Sequence, residues 1–136
     1  HIDCDVLDAD GGTRTASITG GYVALVMALD KLRQRGLVEP GVLREPVAAT
    51  SVGLVDGTPL LDLCYEEDVR AQVDLNLVGT RGGSLIEVQG TAEGEPMTRA
   101  QHDALVDLGL KGVTGLLPAQ QAAIDALGID LGRLLG

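Results

Sequence analysis

A chain of 136 residues has the length of one domain and can bury a core of its own. Its 45% apolar and 22% charged residues exclude a disordered polymer. A formal net charge of −10 excludes a protein that grips nucleic acid by a broad basic face, though not an enzyme that holds a few phosphates with single arginines.

Tyr22 and Tyr65 are the only aromatic residues, so the core has to be built from Leu, Val, Ile and Ala. Successive bases have no aromatic row on which to stack. The chain opens at His1, already inside a strand-like run, and reads as a piece of a longer protein. Cys4 and Cys64 form no C-x-x-C and no cluster with His1 or His102. A reduced, cytoplasmic setting is therefore expected, with neither a disulfide framework nor a zinc site. The longest apolar run, 22–29, is too short to cross a bilayer, and no membrane partner is expected.

In chain order, Ile2, Cys4 and Val6 alternate with Asp3 and Asp5, which predicts a half-buried strand over 2–7. Ile18, Tyr22, Leu25, Val26, Leu29 and Leu32 then recur at helical spacing. Lys31, Arg33 and Arg35 lie in the last turn of that helix, and Gly36 stops it. Gly20 and Gly21 inside it cost about 1 kcal/mol each against Ala, and are expected to allow close packing on a sheet. Pro40, Gly41 and Pro46 mark a loop. Residues 47–55 and 58–63 flank Asp56-Gly57, the strongest hairpin signal in the chain. A short acidic helical turn over 65–71 leads to a strand carrying Val73, Leu75 and Leu77, and a second hairpin turns over 79–84 into 85–89. Thr98 is a cap for a helix through Ala104, Leu105 and Leu108. Gly112 and Gly115 are expected to break that helix, with Pro118 restarting it as far as Gly128. The order strand, helix, two hairpins, helices predicts an α+β or mixed α/β layer, a mixed sheet with helices packed on one face. It forms a single domain over 1–136.

The richest stretch chemically runs from Asp10 to Thr19, Asp-Gly-Gly-Thr-Arg-Thr-Ala-Ser-Ile-Thr. A strand, a glycine pair and a helix start bring unpaired backbone N–H groups and the positive end of a helix dipole to one point, the outline of an anion site. Thr13, Thr15 and Ser17 add hydroxyls, and Arg14 adds a fork of donors suited to phosphate. The same pattern also describes an ordinary helix start with a solvated arginine. It is neither a Walker loop nor a dinucleotide fingerprint, because the Lys-Ser/Thr ending and the G-x-G-x-x-G spacing are absent.

Four stretches together are more specific: 2–20, Leu61-Asp62-Leu63, Tyr65-Glu66-Glu67-Asp68 with Val73-Asp74-Leu75-Asn76, and 87–94. From His1 to about Gly115 the chain resembles the C-terminal part of the ribonuclease PH family, phosphate-dependent exoribonucleases that trim transfer RNA 3′ ends. The resemblance implies phosphorolysis, in which inorganic phosphate is the co-substrate and a nucleoside diphosphate leaves. It assigns phosphate binding to Gly12, Thr13 and Arg14. It makes Asp68 and Asp74 the catalytic pair, holding a divalent ion such as Mg²⁺ or supplying the acid. It also implies RNA as partner and a homo-hexameric ring.

Two carboxylates six residues apart, one ending a turn and one entering a strand, are able to converge beside such a loop and hold Mg²⁺. Without the resemblance, Asp74 reads as a solvent-facing strand position and Asp68 as a helix C-terminal residue. Glu93, in a Gly-rich turn, reads as structural or interfacial. Asp8 stands where the family usually has Gln, and the turn Gly79-Thr80-Arg81-Gly82-Gly83 departs from the usual one. Roughly the first half of a full-length family member has no counterpart here, including a further phosphate-binding arginine. Two other readings stand beside this one: a non-catalytic ring subunit of an exosome-like assembly, and a generic phosphate-binding domain acting on a small nucleotide.

Overall fold

The computed structural model describes all residues, 1–136. Its regular elements are α1 (Thr13–Gln34), β1 (Val47–Val55), β2 (Thr58–Leu61), α2 (Tyr65–Asp68), β3 (Val73–Thr80), β4 (Leu85–Ala92) and α3 (Arg99–Ala126), closed by a 3-10 turn at Leu131–Arg133. The fold is α+β, as expected.

The sheet has four strands in the order β2-β1-β3-β4, and every pairing is antiparallel. Asp56 and Gly57 both take positive φ, 50° and 76°, as a two-residue turn between right-twisted strands requires. Register then divides the sheet into two chemically distinct faces. Ala48, Val52, Leu54, Val73, Leu75 and Leu77 form a buried cluster with Leu105 and Val113 of α3. The opposite face carries Ser51, Asn76 and Gln89 in one cross-strand row, Gly53, Asp74 and Thr91 in the next, and Ala49, Val78 and Glu87 in a third. Alternation along β3 is the reason: its odd residues enter the core and its even ones leave it.

Four expectations are corrected. The run 2–7 is not a strand: it has no regular secondary structure, is exposed and pairs with no strand. Alternating apolar residues make a strand only where another strand supplies hydrogen bonds, and here the run lies along α1, with Cys4 Sγ 3.6 Å from the Ser17 carbonyl oxygen. The sheet is accordingly antiparallel throughout rather than mixed.

The final helix is continuous over 28 residues, with Gly112, Gly115 and Pro118 inside it. Thr98 and Gln101 cap it reciprocally. Its buried residues lie on both sides of the proline. Leu105 and Val113 pack on the sheet, while Gln120 bonds to the Thr19 and Val47 carbonyls and Ile124 packs with Tyr22 and Val26 of α1. The sheet and α1 together hold both halves in line. Gly112 is a contact rather than a break. A Cβ there would stand 2.6 Å from Leu61 Cδ1 and 2.9 Å from Thr50 Cγ2, so its absence lets α3 lie directly on the sheet.

Gly20 and Gly21, by contrast, do not touch the sheet. Gly20 faces open space and Gly21 faces Ile2 and Cys4. What ties α1 to the sheet is Thr19. β2 pairs with β1 only over Val52–Val55, leaving the earlier half of that β1 edge bare. The Thr19 hydroxyl donates to the Ala49 carbonyl at 3.0 Å and accepts from the Ala49 N–H at 2.9 Å. Gln120 Nε2 of α3 adds bonds to the Thr19 and Val47 carbonyls. The bare edge is thus satisfied by side chains, and α1 is set in register with the sheet. No helix is long and apolar enough to cross a membrane.

Candidate active site

The glycine loop meets the polar sheet face at the start of α1. Gly12 takes φ 69°, ψ 26°, a left-handed conformation that side chains disfavour. A Cβ on it would also crowd Ser51 Oγ and Thr15 Oγ1, each at 3.1 Å. Ala16 is the first residue of α1 whose N–H bonds inside the chain, to the Gly12 carbonyl at 2.9 Å, and no side chain caps the helix. The N–H groups of Thr13, Arg14 and Thr15 therefore point off the helix end without a partner. Beneath Gly12, Ser51 Oγ is buried and makes no hydrogen bond.

Two hydroxyls counted toward the anion site are otherwise engaged. Thr15 Oγ1 donates to the Gly12 carbonyl and Ser17 Oγ to the Thr13 carbonyl, both at 2.8 Å. Helical Ser and Thr commonly turn back on the preceding turn in this way, which the sequence does not reveal. Arg14 is also partnered. Its Nη2 lies 2.9 Å and 3.1 Å from the two carboxylate oxygens of Glu87, reaching over β3 to β4.

Backbone contacts hold the acidic turn against this loop. Any Cβ on Gly11 would overlap the Leu63 carbonyl, and Leu63 in turn fills the space above Gly53. One residue beyond Cys64, the Tyr65 N–H donates to the Asp10 carboxylate. Cys64 and Glu67 close the start of α2 with a capping box. Asp10, Gly11 and Leu63 therefore clamp α2, and with it Asp68, beside the start of α1.

Asp74 lies on the polar face, the face over which Gly12 and Arg14 sit. Its carboxyl pKa is raised, first by burial and then by the negative charges of Asp68 and Glu93, against one opposing hydrogen bond from the Leu75 N–H. Gly12, Thr13, Arg14, Asp68 and Asp74, picked out from sequence, thus surround one stretch of the sheet. Glu93 joins the field of Asp74 instead of standing apart. No three His, Cys, Asp or Glu side chains stand together as a cage for a metal. Two carboxylates close enough for the charge of Asp68 to oppose ionisation of Asp74 suit a cation that brings phosphate oxygens as its remaining ligands.

Sequence reasoning missed Glu87 and Asp10 as partners of the loop. The signal for Glu87 was its alternation with Ile86 and Val88, which places Glu87 and Gln89 together on a polar strand face. A cavity of about 380 Å³ between α1, α3 and β1 shares Gly11 and Gly12 with the site, but neither Asp68 nor Asp74 lines it.

A helix start with unpartnered N–H groups over the sheet face that bears Asp74, on an antiparallel sheet backed by one long helix, defines a class. Residues 45–112, half of the chain, match the family model described as 3′ exoribonuclease family, domain 2. The chain belongs to that family. It is 57% identical over 123 residues to a ribonuclease PH of Corynebacterium efficiens, covering 90% of this chain and 50% of that protein. The ribonuclease PH of Corynebacterium glutamicum is 58% identical with the same coverage, and that of Syntrophomonas wolfei 52% identical, with 90% and 52% covered. The chain thus spans about half the length of these relatives. Among solved structures, rice Rrp46 superposes with a TM-score of 0.70 at 20% identity, over 88% of this chain and 51% of that one, a likeness of fold.

Proposed function

We propose that the chain is the second half of a cytoplasmic, phosphate-dependent 3′–5′ exoribonuclease that trims transfer RNA 3′ ends, a phosphorolytic nucleotidyltransferase. The observation that carries this reading is the open N-terminus of α1, with Arg14 above it, on the sheet face that bears Asp74. Inorganic phosphate sits against the free N–H groups of Thr13 and Arg14, made accessible by Gly12, with the Arg14 guanidinium over its oxygens. A phosphate oxygen attacks the phosphorus of the last phosphodiester. The bond to the 3′-oxygen of the preceding nucleotide breaks, and the terminal nucleotide leaves as a diphosphate. The departing 3′-oxygen takes a proton, and Asp74 is the candidate donor because its surroundings favour the protonated carboxyl. In the alternative role Asp68 and Asp74, both ionised, would hold Mg²⁺, which when bound would neutralise charge on the phosphoryl oxygens, and Asp74 would then not be the proton donor.

The full-length enzyme forms a hexameric ring on this reading, with RNA 3′ ends as its macromolecular substrate. The alternative, a non-catalytic ring subunit of an exosome-like assembly, is less favoured because Arg14, Asp68 and Asp74 are all present and gathered at one place. The test is product analysis on the full-length protein with a short RNA and inorganic phosphate. Nucleoside diphosphates formed only when phosphate is present support phosphorolysis. Nucleoside monophosphates, or no product, would contradict it.

A further inference from the structure

We propose that Glu87 is a positioning residue for phosphate: it holds the Arg14 guanidinium over the polar sheet face so that the arginine's remaining donors meet the anion. The inference rests on the phosphate site proposed above and extends it to a residue on the far strand. Arg14 is half-exposed and sits in the first turn of α1, where a free arginine side chain would sweep a wide arc through solvent. Glu87 stops that motion. Both of its oxygens engage the same nitrogen, Nη2, at 2.9 and 3.1 Å, while Nε and Nη1 make no bond within the chain. A guanidinium has five N–H donors, so three remain for an anion after Nη2 is taken.

The backbone fixes where this places the charge. Glu87 is in register with Val78 and Ala49, so its side chain rises from the same face as Asp74, two residues before Asn76 on the neighbouring strand. The ion pair therefore spans the sheet above β3, between the helix end and the far edge strand. Exposed pairs of this kind add little to stability, with 49% and 40% of the two side chains accessible. Holding an arginine at one orientation before the ligand arrives is a separate gain, because ordering a long side chain on binding weakens affinity.

The experiment compares the full-length enzyme with E87Q, R14A and the double variant, measuring KM for inorganic phosphate, kcat and Tm. Gln keeps the length and an acceptor oxygen while removing the charge that holds the guanidinium. E87Q is expected to raise the phosphate KM about fivefold, the ceiling for an exposed pair, with kcat at saturating phosphate within about twofold of the parent. In the R14A background the same substitution should change KM no further, since Glu87 acts through Arg14. A lower phosphate KM in E87Q would show that Glu87 competes with phosphate, and would overturn the inference. So would an unchanged KM, or an effect that persists without Arg14. If R14A itself leaves the phosphate KM unchanged, the phosphate site fails and the inference with it. An R14A effect without an E87Q effect sinks the inference alone.

Discussion

Thr19 and Ala49 exchange two hydrogen bonds, hydroxyl to carbonyl at 3.0 Å and N–H to hydroxyl at 2.9 Å, so a side chain takes the place of a missing strand partner. That exchange is what aims the start of α1 at the polar face of the sheet. Thr19→Val keeps the shape and removes the hydroxyl, leaving the Ala49 N–H and carbonyl without partners. The expected loss is about 1–3 kcal/mol of unfolding free energy, the usual cost of stranding a buried backbone group. Denaturant unfolding of the full-length protein reads it directly. A Val variant as stable as the parent would mean that water satisfies this edge.

The contact of Gly11 with the Leu63 carbonyl makes a sharper prediction. Gly11→Ala forces a methyl group into backbone atoms that have no rotamer to move aside. The glycine loop then separates from α2, at a cost of about 1–3 kcal/mol for overpacking. Turnover should fall far more than stability, because the loop and Asp68 part company. Comparing kcat with the melting temperature separates the two effects, and equal losses would argue that Gly11 matters only for folding.

Asp74 links stability to pH. Its folded carboxyl titrates above the ordinary carboxylate value, because burial and the charges of Asp68 and Glu93 oppose ionisation. Below the unfolded pKa both states are protonated and the group has no effect. As pH rises through the folded pKa, ionisation in the folded state becomes costly and stability is lost. Asp74→Asn, which cannot ionise, should therefore be more stable than the parent at neutral pH, with the difference vanishing under acid conditions. It should also lose turnover. Thermal melts of parent and variant across that range decide the point: a variant less stable at neutral pH would show that the Asp74 charge supports the fold.

Local chemistry made much of this molecule readable before its structure. Asp56-Gly57 demands a tight hairpin, Thr98 and Gln101 cap a helix, and the alternation through Val73, Leu75 and Leu77 commits one face of β3 to the core. The glycine stretch was readable for the same reason, since the backbone at Gly12 admits little else. What stayed hidden depends on distant partners. Residues 2–7 have the pattern of a strand and no strand beside them. Pro118 and Gly112 look like breaks until the sheet under the first half of α3 and α1 beside the second supply the contacts that hold both halves in line. The hydroxyls of Thr15 and Ser17 count as anion donors until the helix gives each a carbonyl three or four residues back. Glu87 lies 73 residues from Arg14, a separation that no local pattern bridges.

Arg14 carries the central claim, and a phosphate titration of Arg14→Ala addresses it most directly. Charge-assisted hydrogen bonds of the kind an arginine makes to phosphate contribute about 1.5–3 kcal/mol, or roughly ten- to a hundredfold in affinity. The expected result is a rise of that size in the phosphate concentration needed for diphosphate release, with a melting temperature close to that of the parent because the Arg14–Glu87 pair is exposed. A variant that melts earlier in proportion to its lost activity, while its demand for phosphate stays unchanged, would contradict the phosphate site at the start of α1.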